Sequence, residues 1–148
     1  RGVDRRFDFA IKNDRHVLIS DYAHHPKEIF QSAKSIKQLY SNRKINAIFQ
    51  PHIYTRTRDF YKPFADALSQ PDEEILCDIY PAREQPIPGV TSKLIYDNLA
   101  EGVEKSMVKT DEVLNLVKSR DFDVLVILGA GDLDNQVPKI AKILESKK

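Results

Sequence analysis

The run Phe49-Gln50-Pro51-His52-Ile53-Tyr54-Thr55-Arg56-Thr57-Arg58-Asp59-Phe60 holds the densest chemistry of the chain. An apolar stretch ends at Phe49 and a proline. A histidine, threonine hydroxyls and two arginines then crowd in before a helical pattern resumes. That is how a parallel strand feeds a helix N-terminus, where backbone N–H groups and fixed cations can hold a carboxylate or a phosphate. Arg56 and Arg58 lie two apart and diverge by about 200 degrees on a helix. One of them can face a ligand, which leaves the other for a surface ion pair with Asp59 or Asp66. Arg56 is the candidate ligand cation, being nearer the strand end and His52. Its planar guanidinium suits bidentate capture of a carboxylate.

A second cluster, Ser20-Asp21-Tyr22-Ala23-His24-His25-Pro26, offers other chemistry. An ionised Asp21 has only acceptors, so it could take hydrogen bonds from a sugar's hydroxyls or cap the helix that Pro26 opens. His24 and His25 are adjacent and on a turn would point in different directions, which does not suit one shared metal ion. The lone cysteine, Cys77, sits in another apolar run, so no zinc site is expected. Hydrogen bonding to a ligand, or helix capping, are the roles left to the two histidines. Two further polar clusters, 78–84 and 129–134, also follow strand-like runs. Gly129-Ala130-Gly131-Asp132 permits close approach of backbone to a ligand, although tight turns demand glycine for their own reasons. There is no G-x-x-x-x-G-K-[ST] loop, no complete dinucleotide fingerprint and no Ser/His/Asp or Cys/His nucleophile arrangement.

Positioning these clusters requires strands that end together. Strand-like runs lie at 7–11, 16–20, 45–49, 74–80, 107–109 and 123–128. Asn13-Asp14 makes a hairpin of the first two. The later runs are separated by helical spacing, which implies right-handed crossovers and a mostly parallel sheet. Val124-Leu125-Val126-Ile127-Leu128 is apolar throughout, as a central strand covered on both faces must be. Helices are marked by Ile29, Ala33, Ile36 and Tyr40; by Phe60, Phe64, Ala67 and Leu68; by Ile95, Leu99 and Val103; by Val113, Leu116 and Val117; and by Val137, Ile140, Ala141 and Leu144. Thr91 or Ser92 would cap the third, and Thr110 or Asp111 the fourth. The expectation is a three-layer, Rossmann-like, doubly wound α/β fold. It has about six strands, an N-terminal hairpin and helices on both faces. Ligands of such sheets bind outside the carboxyl ends of the strands, where all four clusters fall.

A chain of 148 residues suits one domain. Its 23 Lys and Arg nearly balance its 22 Asp and Glu, for a net charge of +1, which argues against a general nucleic-acid or membrane-surface binder. No apolar stretch approaches the roughly 20 residues needed to span a bilayer. One cysteine permits no intrachain disulfide, which fits a reducing cytosol. The polar start without an initiator methionine reads as a domain cut from a longer protein.

The ordered set of motifs resembles the C-terminal domain of the Mur ligases, the ATP-dependent amide-forming enzymes of peptidoglycan precursor synthesis. Gly2-Val3-Asp4-Arg5-Arg6-Phe7 resembles the opening of that domain, and Asp21-Tyr22-Ala23-His24-His25-Pro26 its aspartate-tyrosine-alanine-histidine motif. Gln50 to Thr57, Asp78-Ile79-Tyr80-Pro81-Ala82-Arg83-Glu84 and Gly129-Ala130-Gly131 are most similar to the family's alanine-adding branch. The alternatives are the branch that attaches a ready-made tripeptide to the same sugar nucleotide, or a non-catalytic nucleotide-binding module. Many alanine-adding members carry arginine where this chain has Ile53.

The resemblance implies that residues 1–148 form the domain that closes over ATP and delivers the amino acid. The UDP-sugar-binding and central ATPase domains would lie elsewhere in the same cytoplasmic polypeptide. Its partners would be L-alanine, ATP and UDP-N-acetylmuramate, with Mg2+ bound mainly by the central domain. By the same resemblance Arg6, Asp21 and His24 would meet the nucleotide. His25, His52 and Arg56 would orient alanine, with Tyr22, Gly129 and Gly131 lining the pocket. No catalytic residue and no metal ligand is implied in this domain, which would be inactive alone.

Overall fold

Why the polar clusters meet is a matter of strand order. The computed structural model describes residues 8–129 and 131–147. Its six strands are β1 (Asp8–Lys12), β2 (Val17–Asp21), β3 (Ile45–Phe49), β4 (Glu73–Leu76), β5 (Glu104–Met107) and β6 (Val124–Leu128). They form one sheet in the order β1-β2-β6-β3-β4-β5. β1 pairs antiparallel with β2, and every other pairing is parallel. The fold class expected from the sequence, hairpin included, is the one observed.

Helices α1 (Pro26–Leu39), α2 (Tyr54–Ala67) and α3 (Lys93–Tyr96) cover one face, and α4 (Val113–Ser119) and α5 (Val137–Ser146) the other. Alternation along the strands divides the core accordingly. Ala47, Phe49, Val126 and Leu128 pack under the first layer, while Ile48, Leu125 and Ile127 pack under the second. Because β6 lies between β2 and β3, and its own connection leaves on the α5 face, the ends of these three strands open a crevice. That is the topological switch point at which such sheets bind ligands.

Four elements differ from the expectation. β4 stops at Leu76 instead of running to residue 80. β5 covers Glu104–Met107 and not 107–109. It is a polar edge strand, so a search for apolar runs passes over it. The third helix is a single turn, and Gly102, at φ 91°, turns the chain before Val103 could extend it. Helix α2 starts six residues earlier than its apolar spacing suggests and breaks at Phe60 (φ −129°). Pro63 has no N–H and crowds the carbonyl of Asp59, which accounts for a break one turn upstream. Ser92 does not cap α3; its hydroxyl is spent on the Cys77 carbonyl, and the Thr91 hydroxyl accepts the Lys93 N–H instead.

Adjacent carboxyls on β4 meet opposite fates. Glu73 is held by Arg120 (2.7 Å) and Asn46, and these partners bring its pKa below the usual carboxylate range despite burial. Glu74 is fully buried on the other face, with no hydrogen-bond partner among the described residues. Burial first, and Glu73 second, push its pKa well up, so it is held as the neutral acid. Burial likewise pushes the Cys77 thiol up to about 12, which leaves it unreactive.

Candidate functional site

The first wall of the crevice follows β2. Asp21, only 1 % exposed, accepts the Ala23 N–H (3.0 Å) and the Ser32 hydroxyl. Its carboxylate therefore pins the turn into α1 and does not lie open to a sugar hydroxyl. Beyond it the rings of His24 and His25 sit with centroids 4.7 Å apart and tilted by 37°. They do not diverge as their adjacency on a turn suggested. Tyr22 meets His24 edge-on at 6.5 Å. Glu28 reaches back from α1 to accept the N–H groups of His24 (3.3 Å) and His25 (3.4 Å), satisfying donors that the helix start leaves open.

The second wall follows β3. Gln50, 2 % exposed, accepts the Leu133 N–H (2.8 Å) and donates to the Thr110 hydroxyl (3.2 Å), tying three loops together. Pro51 accepts the Tyr80 N–H and Ile53 donates to the Tyr80 carbonyl, both at 2.8 Å. The His52 and Tyr80 rings consequently stack at 5.6 Å. Ile53 has φ 60°, a conformation that costs a β-branched residue energy and persists only where neighbours fix it. Here its carbonyl accepts the Thr57 hydroxyl (2.9 Å) as well as the Thr57 N–H.

One turn into α2, Arg56 donates to His52 Nδ1 at 3.1 Å. A guanidinium can only donate, so Nδ1 must carry a lone pair and the proton must reside on Nε2. Burial, then Arg56, then His24 hold the His52 pKa below its usual value, which fixes the neutral ring at pH 7. The His52 and His24 ring centroids lie 6.1 Å apart, which brings the two walls together. Among the described residues no carboxylate pairs with Arg56, whereas Arg43, Arg58 and Arg120 bond Asp123, Asp59 and Glu73. Arg58 thus takes the surface pairing and Arg56 is left available.

The third wall follows β6. Gly129 has φ 123°, and a Cβ there would stand 2.7 Å from the Gln50 carbonyl oxygen. A Cβ on Gly131 would collide with the Gln50 side chain and come within 2.8 Å of Tyr80 Cβ. Both glycines are required by close packing against the second wall, which brings the β6 loop into the site.

The sequence reading therefore names residues that converge: Tyr22, His24, His25, His52, Arg56, Gly129 and Gly131. Asp21 sits beneath them as a structural support, and Arg6 lies outside the described residues. Gln50, Tyr80 and Glu84 were missed as individual residues, although each falls in a cluster already recognised. Buried polar type at a strand end was the available signal for Gln50. Nothing local marks Glu84, whose partners are some 30 residues away.

A family model described as Mur ligase, glutamate ligase domain, matches residues 5–131. The chain belongs to that family. It is 65% identical over 147 residues to a UDP-N-acetylmuramate–L-alanine ligase of Phocaeicola vulgatus, covering 99% of this chain and 32% of that protein. It is 52% identical to the enzyme of that name from Parabacteroides distasonis, over 97% of this chain and 31% of the relative. The chain thus spans about a third of the length of the curated relatives it matches. Among solved structures, the UDP-N-acetylmuramate–alanine ligase of Thermotoga maritima superposes with a TM-score of 0.76 at 29% identity, covering 97% of this chain and 30% of that one. A single domain of a Haemophilus ducreyi ligase shares the fold, with a TM-score of 0.68 at 18% identity. It covers 94% of this chain and 99% of its own.

Proposed function

We propose that the chain is the amino-acid-delivering domain of an ATP-dependent ligase that joins L-alanine to the muramyl carboxylate of UDP-N-acetylmuramate. The observation that carries this reading is an arginine with no carboxylate partner among the described residues, hydrogen-bonded to a neutral histidine at the switch point. The chain also resembles, at 65% identity, a protein of that name. Arg56 would pair with the alanine carboxylate, while the imidazoles of His52 and His25 receive the amine end. Neutral His52 adds no positive charge that would repel an ammonium group.

In this reading ATP has converted the sugar carboxylate to an acyl phosphate. The amine adds to the acyl carbon, and the tetrahedral adduct expels phosphate to leave the amide. Among the described residues no group of three or more His, Cys, Asp or Glu is placed to hold a metal ion. By the family resemblance, magnesium and most nucleotide contacts are assigned to the central domain of a longer, cytoplasmic enzyme. His24 is the nucleotide-side candidate here, since Asp21 is covered. No helix among the described residues is long and apolar enough to cross a membrane.

The test is a phosphate-release assay of the full-length protein with UDP-N-acetylmuramate, ATP and magnesium, offering L-alanine or the tripeptide of the recycling branch. Turnover with alanine and none with the tripeptide is expected. Preference for the tripeptide would overturn the reading.

A further inference from the structure

We infer that Glu84 is a positioning residue for amino-acid recognition, clamping the first turn of α2 so that Arg56 and His52 form a rigid grip. The inference rests on the alanine-binding reading above and deepens it. Helix α2 begins without a side-chain cap, because the residue in that place is Ile53 at positive φ. The N–H groups of Tyr54 and Thr55 would be left open. Glu84 Oε1 accepts both, at 2.7 and 3.0 Å, and its Oε2 accepts the Thr55 hydroxyl. Three bonds to one carboxylate at a helix N-terminus are charge-assisted and favoured by the helix dipole. They hold the Glu84 pKa below the usual carboxylate range, the Thr55 hydroxyl contributing most.

The carboxylate is itself aimed by a rigid path. Tyr80 is bonded on both sides to Pro51 and Ile53, and the chain then turns through Ala82 at φ 51° to a Glu84 N–H bonded to the Pro81 carbonyl (2.9 Å). The residues that stack on His52 and that cap the helix of Arg56 thus belong to one continuous segment. The clamp has a second consequence. With Glu84 in place, the α2 N-terminus already holds an anion, so a substrate carboxylate is directed to the Arg56 side chain instead. The backbone anion site suggested by the sequence is filled by the protein itself.

The experiment compares Glu84→Ala, Glu84→Gln, Thr55→Val and Arg56→Ala in the full-length enzyme, measuring KM for alanine and for ATP, kcat, and thermal unfolding. Glu84→Ala should raise the alanine KM about tenfold, with kcat at saturating alanine and the ATP KM within about threefold. Glu84→Gln keeps an oxygen for both backbone donors and should stay within about threefold of wild type; Thr55→Val should fall between them. An unchanged alanine KM in Glu84→Ala, alongside a raised one in Arg56→Ala, overturns the inference while sparing the alanine site. Equal damage to both KM values and kcat also overturns it. An Arg56→Ala enzyme with unchanged alanine KM shows instead that the reading beneath it has failed. If Glu84→Ala does not fold, the Thr55→Val and Glu84→Gln pair decides by the same criteria.

Discussion

Two of the three crossings that meet at the candidate site, those after β2 and β3, are finished in different ways. After β2 the turn into α1 is closed by its own neighbourhood: Asp21 holds Ala23, and Glu28 returns to His24 and His25 from within the same helix. After β3 the turn into α2 is closed from a distance, by Glu84 on a loop some 30 residues away. The first arrangement is a helix start braced by residues of its own crossing. The second makes the geometry of Arg56 depend on another crossover. Gly129 separates the two, donating its N–H to the Asp21 carbonyl while its α-carbon lies against the Gln50 carbonyl.

That contrast can be broken most severely at its spacer. Gly129→Ala adds a methyl against backbone at a φ few side chains tolerate and should destabilise the fold by roughly 3 kcal/mol. A fall in Tm of about 6–12 °C by calorimetry would show it. Next comes Asp21→Ala, which leaves a buried hydroxyl and a buried N–H unpaired and should cost about 2 kcal/mol. It acts on stability, whereas loss of Glu84 acts on the alanine KM, and that difference sharpens the comparison. Glu28→Ala removes the reach-back from α1 to His24 and His25 and should cost about 1 kcal/mol in chemical denaturation.

A smaller effect separates the crossings by pH. Because the folded chain depresses the His52 pKa, the unfolded chain binds the proton more readily. The His52 contribution to stability is therefore undiminished above about pH 6.5 and declines as pH falls through the unfolded value. Protonation also removes the lone pair that Arg56 uses. Arg56→Ala should move the His52 titration upward, read by NMR of the imidazole, since a neighbouring cation has gone.

How much of this could be read from residues alone follows the same division. The all-apolar β6 and the glycine-flanked turn after it announce themselves, and so do the histidines and arginines set at strand ends. The hairpin is legible from Asn13, whose side chain accepts the N–H groups of Arg15 and His16. Polar β5 is not, because its place at the sheet edge removes the need for apolar residues. The α2 start is hidden because its cap is Glu84 rather than a Ser, Thr, Asp or Asn before the helix. From its type Asp21 could serve a ligand or the helix that Pro26 opens; burial, which sequence does not display, sets its carboxylate against Ala23 and Ser32.

The central claim is that a side-chain guanidinium, and not the helix terminus beneath it, takes the amino acid's acid group. A crystal structure of the full-length enzyme with L-alanine and a non-hydrolysable ATP analogue tests this directly. The account predicts the alanine carboxylate within about 3 Å of Arg56, with Glu84 still bonded to Tyr54 and Thr55. Alanine seated on the α2 backbone amides with Glu84 swung away, or bound where Arg56 does not reach it, would contradict it.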